Sequence, residues 1–579
     1  MEDTTPKVVI CFFPQAPSGQ KGPAMFKSQF TVIVALAAIL TLPENGHGRI
    51  HDNTHLDLVE QLVPAKKYPE MPGGSVSIVE GGEIVFLEAF GVDETANGTP
   101  LAVDGVFPMA SVSKVFTAYT VLTLIADRLL GLDDLVDPLI PGIDLPAGLK
   151  VRHLLSQTSG LGERFGGTAS WDAENQTSLR MKIESGLPAF TYPPGEIFRY
   201  SNWNSALLGL LIEEVTGEEF TQVVRGRVFV PLGMESSFFS REAHEANARR
   251  VTCNIRLATG EFAPVPPIYL LLEPAGGMMS TAEDMGKFIA HLLSPDVRDC
   301  LTLALLYTAE WTRPLDSRFS MGMGMMLERH HDDEELSIAS HYGGFIGVST
   351  ALVLFPEKQA GFFIACNREI GLEYGWRVYS DLRFGLERWP APESFTRHSV
   401  KPGIYRDIRF DELPGVEKLA VLLGLHESLE IGGTTPMHPL SVESRPGDDF
   451  ITWDLNIFRR VHWYETSTFL IAVALTVFVA NVLVFVVSLV RRELPAVAMT
   501  GIVMGTFVMF LWAVVATPPM EFMFHYPWQV IVGWLLSLSH LAVGLVVVAH
   551  RFVNNSRLTA VLLALLWASY QGMALWLFL

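Results

Sequence analysis

Cysteine is scarce in this chain: four residues in 579, at positions 11, 253, 300 and 366. No two stand at the spacing a structural zinc site uses, which argues against a cysteine-held metal. The three in the central region cannot all pair with one another, so a disulfide there is allowed but not implied. Basic residues are also short. Lys and Arg number 42 against 62 Asp and Glu, a formal charge of −20. That balance argues against nucleic acid as a partner, because a phosphate backbone needs cations to meet it. No internal repeat of solenoid period is present. Charged residues of both signs make up only 18% of the chain. What replaces them is apolar: 49% of residues are hydrophobic and mean hydropathy is +0.29. A chain of this length exceeds one ordinary domain, and its hydropathy points to membrane segments.

The apolar residues are concentrated at the two ends. Residues 1–48 read as a leader: Lys27 precedes an apolar run from about Phe30 to Leu42, closed by Pro43. That is the layout of a secretory signal, with Met25 as a candidate initiator, and either cleavage or retention as an anchor is open. Residues 466–579 hold four longer runs, near 468–490, 496–516, 528–549 and 558–578. Each is long enough to cross a bilayer as a helix, so this segment is expected to be a four-helix transmembrane bundle. Arg491 and Arg492 follow the first run; His550, Arg551 and Arg557 follow the third; the loop after the second has no Lys or Arg. The positive-inside tendency then places residues before 467 outside the membrane, in agreement with the signal. Arg459 and Arg460 dissent mildly. Gly501 and Gly505 form a small-xxx-small pair, and Asn481 and His540 fall near mid-membrane, where holding helices together is favoured over transport.

Residues 49–390 read as a mixed α/β domain, and 391–465 as a linker region with a few strands. Two β-rich runs flank Gly81-Gly82, a hairpin signal, and the pattern recurs around Pro356-Glu357-Lys358. Helical segments fill the middle; one ends at Gly217, placed as a C-cap. Strands at both ends with helices between them predict an antiparallel sheet closed by the first and last segments and flanked by helices.

Inside that domain, the stretch PMASVSKVFTAYTVL puts Lys114 in an apolar helical run, one turn after Ser111. Residues three apart share a helix face. Serine is a poor nucleophile until a base takes its proton, and a desolvated lysine can be that base. The competing reading is Ser111 as a cap and Lys114 reaching solvent. Two further stretches shift the balance. Tyr200-Ser201-Asn202 stands before a helix and supplies a phenol and an amide. His341-Tyr342-Gly343 opens a strand expected at a sheet edge, where glycine lets a ligand approach the backbone. The cluster ERHHDDEEL, from His330 to Glu335, reads as a solvated turn rather than a metal site, and the methionines of MGMGMM as core packing.

Ser-x-x-Lys, Tyr-x-Asn and His-x-Gly occur in this order, with HLLSQTSGL, PLGM and AGGMMSTAEDM between them. Over about residues 50–390 this set resembles the serine β-lactamase and penicillin-binding-protein superfamily, in its class C-type branch with D-aminopeptidases and esterases. The resemblance implies a β-lactamase/transpeptidase-like domain in which Ser111 is the acylated nucleophile. It implies that Lys114 and Tyr200 share the acid and base work. Asn202, His341 and Gly343 would bind substrate, and the N–H groups of Ser111 and Gly344 would form the oxyanion hole. It implies no metal and no cofactor. His341 stands where many relatives carry lysine, and Tyr342 replaces a small residue and is expected to narrow the groove. Both departures weaken the case for a dedicated antibiotic-destroying enzyme.

The expectation is therefore an extracytoplasmic, membrane-anchored serine hydrolase in the periplasm or outside the cell. It would act on small or D-configured peptides, with an esterase or weak β-lactamase as the alternative. Its partners would be a small peptide, ester or lactam substrate and the lipid bilayer, with no nucleic acid. A β-lactam or wall-peptide sensor is the rival from another class. A transporting bundle regulated by the domain is the third reading.

Overall fold

The computed structural model describes residues 73–94, 98–171, 177–239, 249–256, 262–312, 319–329 and 337–368, and the backbone of four strands beyond them. The N-terminal apolar run, the 330–335 cluster and all four C-terminal apolar runs lie outside the described residues. Among the described residues no helix is long and apolar enough to cross a membrane. Chain contacts divide into two units, Met1–Leu161 with Trp171–Phe395, and Gly162–Ser170 with Thr396–Leu579.

The first unit is built on a nine-stranded antiparallel sheet. Its strands are β1 (Gly73–Glu80), β2 (Glu83–Glu94), β3 (Thr99–Pro100), β4 (Trp311–Thr312), β5 (Phe319–Met321), β6 (Met326–Arg329), β7 (Ser337–Phe345), β8 (Val348–Phe355) and β9 (Ala360–Cys366). They lie in the order β4-β5-β6-β7-β8-β9-β1-β2-β3. Strand β1 therefore closes onto the last strand, β9, as the sequence pattern predicts, with Val76 opposite Ile364. The β1–β2 hairpin turns through Gly81 and Gly82 at φ +56° and +86°. Both angles lie where L-residues with a Cβ are strained, which is why this pair of glycines writes the turn. Met321, Met323 and Met325 are buried in the core.

Three helices matter for the site: α1 (Ser113–Ala126), α2 (Asn202–Thr216) and α3 (Ala282–Leu292). In α1 every residue from Ser113 to Leu124 is buried. A helix enclosed all round must satisfy its own polar groups. Thr120 Oγ1 donates to Phe116 O and Thr123 Oγ1 to Thr120 O, at 2.8 and 2.7 Å. Helix α2 is capped by Ser201, whose side chain accepts from Trp203 N, and ends at Gly217 with φ +73°. Helix α3 lies on the sheet: a Cβ at Gly286 would stand 2.4 Å from Ser77 Oγ of β1. It meets α1 through stacked rings of Phe116 and Phe288, 4.0 Å between centroids. The sheet, α3 and α1 thus form successive layers around one core.

In the second unit, β10 (Gly403–Asp407), β11 (Ser428–Ile431), β12 (Phe450–Trp453) and β13 (Asn456–Arg460) pair as one antiparallel sheet in the order β11-β10-β13-β12.

Candidate active site

Ser111 sits in a single 3-10 turn, Ala110–Val112, that leads directly into α1. The turn begins with Ala110 at φ +47°, the left-handed region that a residue with a Cβ enters at a cost. Hydrogen bonds hold it there. Met109 N donates to Met278 O at 2.8 Å, Val112 N to Met109 O at 3.2 Å, and Thr350 Oγ1 of β8 to the same Met109 O at 2.9 Å. Ser113 Oγ accepts from Met278 N at 3.1 Å. The turn is clamped from two sides, by the AGGMM segment and by the sheet.

Lys114, 3% exposed, is the buried amine of α1. Its Nζ lies 3.0 Å from Ser111 Oγ, 2.7 Å from Asn202 Oδ1 and 2.7 Å from Ala275 O. An ammonium has three hydrogens and meets three oxygens here. A neutral amine has two hydrogens and one lone pair, and the same geometry suits it. The amide and carbonyl oxygens can only accept, so they take the two N–H bonds, and the lone pair faces the one partner able to donate, the serine hydroxyl. Asn202 and Ala275 thus aim the amine at Ser111. The Tyr200 ring centroid lies 5.1 Å from the same Nζ, within cation–π range, and 6.3 Å from the His341 ring.

The loop carrying Tyr200 is set by the HLLSQTSGL motif. Buried Gln157 accepts at Oε1 from Ser201 N (2.9 Å) and Asn204 Nδ2 (2.6 Å), and its carbonyl accepts from Arg199 N (2.8 Å). Ser159 Oγ donates to Asn204 Oδ1 at 2.5 Å. At Gly160, φ is +77° and a Cβ would fall 1.9 Å from Tyr192 O, so no side chain fits beneath that crossing.

The third element is β7. It is internal to the sheet at its start, where Met326 to Arg329 of β6 pair with Ser340 to Ser337. From His341 to Phe345 it continues the ladder with β8 after its pairing with β6 has ended, and there it behaves as the edge expected from the sequence. The Ser111 turn occupies that edge. A Cβ on Gly343 would lie 3.1 Å from Ser111 N, 2.5 Å from Met109 O and 2.2 Å from Thr350 Oγ1. Gly344 is exposed, and a Cβ there would meet nothing within 4 Å.

His341 is 1% exposed, and its Nδ1 donates to Tyr342 O at 3.0 Å. Burial first, then the nearby Lys114 charge, pushes its pKa down to about 3. It is a neutral imidazole rather than a cation. Tyr342 corrects an expectation. Side chains alternate across a strand, so with His341 turned to the site Tyr342 faces the other side of the sheet. There it packs on the cluster containing Val76, Ile338, Ala351 and Ile364 and does not narrow the groove. The AGGMM segment, one of the signatures of the resemblance, supplies Ala275 O to the lysine. Thr350 and Gln157 are further positioning groups. No metal-binding group of three His, Cys, Asp or Glu occurs among the described residues.

Comparison with known proteins gives the family and the fold. Residues 59–376 match the family model described as Beta-lactamase. The chain is similar to Penicillin-binding protein 4* of Bacillus subtilis (strain 168), 28% identical over 317 residues, covering 52% of this chain and 69% of the relative. It is similar to Protein flp of Staphylococcus aureus (strain MW2), 26% identical over 233 residues, covering 39% of this chain and 46% of the relative. The match thus spans less than half of the staphylococcal protein. Among solved structures, the octameric penicillin-binding protein homologue from Pyrococcus abyssi superposes with a TM-score of 0.50 at 20% identity, over 71% of this chain and 89% of that one. That likeness is one of fold.

Proposed function

The chain belongs to the Beta-lactamase family, whose members are serine hydrolases, and from that premise we propose that Ser111 forms a covalent acyl-enzyme on amide or ester bonds, with small or D-configured peptides as the first substrate class. The observation that carries this reading is the three-way seat of Lys114 Nζ against Ser111 Oγ, Asn202 Oδ1 and Ala275 O. Ser111 Oγ attacks the carbonyl carbon and its proton passes to Lys114 Nζ. The tetrahedral oxyanion is held by the N–H groups of Ser111 and Gly344, at the positive end of α1. The adduct collapses, and the leaving amine or alcohol takes a proton from the Lys114–Tyr200 pair. Water then attacks the ester to Ser111 with the same pair as base. Asn202 orients the substrate while seating the lysine.

The buried, neutral His341 supports a peptidase or esterase over a dedicated β-lactamase, because it offers no positive charge to a drug carboxylate. A weak β-lactamase activity remains the alternative, supported by the penicillin binding in the name of the Bacillus relative. The decisive screen uses D- and L-aminoacyl amides, esters and a chromogenic cephalosporin on wild type and Ser111→Ala. A preference for D-aminoacyl amides supports the first reading, and one for the cephalosporin overturns it. A sensor would be labelled once by an acylating probe and stay labelled, whereas a hydrolase recovers.

We also propose that the four apolar runs of 466–579 anchor this domain on the extracytoplasmic face of a membrane, on the strength of their length and loop charges. Membrane fractionation, with protease access to residues 49–390 in intact cells, tests it. Soluble fractionation of the full chain, or protection of the domain, would overturn it.

A further inference from the structure

A cavity of about 130 Å³ lies against the site. Three of its wall residues are the chain neighbours of site residues: Ala110 precedes Ser111, Gly276 follows Ala275, and Phe345 follows Gly344. Neither Ser111, Gly343 and Gly344 nor Lys114, Tyr200, Asn202 and His341 contribute to the wall. The 265–268 segment, where Pro266 and Pro267 stiffen the backbone, also lines it. The lining is mainly aliphatic and aromatic, and its two charged members, Arg250 and Glu273, are both partly exposed.

Resting on the acyl-transfer reading above, we propose that this cavity is the acyl-group pocket, and that it selects an uncharged apolar substituent of about six carbons on the carbonyl side of the cleaved bond. The leaving group must receive a proton from Lys114 or Tyr200, so it departs on their side. The cavity is walled by Ala110 and Phe345, the chain neighbours of the two proposed oxyanion donors, and not by Lys114 or Tyr200, so the retained acyl group is assigned to it. Its size decides the length: an apolar cavity of roughly 150 Å³ holds one benzene ring. Each methylene buried there raises kcat/KM about threefold to fourfold, until the pocket is full.

The test is the nitrophenyl ester series from acetate through butyrate and hexanoate to decanoate, run on the purified full chain. Wild type is expected to rise about 80-fold to 250-fold in kcat/KM from acetate to hexanoate and to fall at decanoate. Val265→Trp, which fills the cavity, is expected to bring hexanoate down to the acetate value and leave acetate within about twofold. Ile268→Trp repeats the measurement from a second wall position. A flat wild-type series, or fillers that slow all esters equally, overturns the pocket. Labelling of Ser111 by a fluorophosphonate separates the two levels. A labelled enzyme with a flat series loses the pocket alone; an unlabelled Ser111 loses the acyl-transfer reading itself.

Discussion

Ser111 Oγ and Lys114 Nζ lie 3.0 Å apart, one helical turn from each other, with the amine otherwise held by two oxygens that can only accept. Removing the amine should therefore harm the chemistry more than the fold. Lys114→Met is expected to lower the acylation rate by about 10²–10⁴-fold. It also removes the lysine donor from Ala275 O, a buried acceptor, at a cost of about 1–3 kcal/mol. Stopped-flow acylation and a thermal melt measure the two effects separately.

His341 sets an acid limb in stability. Its folded pKa of about 3 lies below the value near 6.5 of an unfolded histidine. Between these values the unfolded chain binds more protons, so stability is full above pH 6.5 and is lost as pH falls toward 3. The slope from this group reaches about 1.4 kcal/mol per pH unit. His153 and His291 are also lowered by burial and act in the same direction. His341→Gln should reduce the loss of Tm between pH 7.5 and 5, as followed by calorimetry. An unchanged pH dependence in the variant would show that His341 is not a buried neutral group.

Thr350 ties the Ser111 turn to the sheet, since its hydroxyl on β8 reaches Met109 O beside Gly343. Thr350→Val keeps the shape and removes the bond. Its kcat should fall by about tenfold to a hundredfold with KM little changed, because the loss is felt in the transition state. Thr350→Ser should restore most of it. A purely structural threonine would lower Tm in the Val variant and leave kcat near wild type.

Gln157 sets the Tyr200 loop through two buried bonds. Gln157→Leu strands the donors of Ser201 and Asn204 and should destabilise the protein by about 2–4 kcal/mol. A denaturant titration reads the stability. The same variant should lose kcat at temperatures well below its melting point.

Much of this site is written in side chains. Ser111, Lys114, Tyr200, Asn202, His341 and Gly343 carry recognisable chemistry at fixed spacings, and the fold brings them together. The β1–β2 hairpin and the C-cap at Gly217 are equally legible, because positive φ leaves glycine as its mark. Ala275 is not legible in this way: its contribution is a backbone carbonyl, which any residue carries. Thr350 reads as one more β-branched residue of a strand, and its role exists only because Met109 O arrives beside it from 241 residues away. Tyr342, in place of a small residue, is expected to narrow the groove, but strand geometry alternates faces and turns it away from the site. The neutrality of His341 follows from enclosure by distant segments, which local sequence does not record.

The most direct measurement is intact-mass and peptide analysis after a brief reaction with an acylating probe, comparing wild type, Lys114→Met and Ser111→Ala. The account predicts one adduct per chain, mapped to Ser111, forming about 10²–10⁴-fold more slowly in Lys114→Met and not at all in Ser111→Ala. An adduct that forms as fast without the Ser111 hydroxyl, or that maps to another residue, would contradict it.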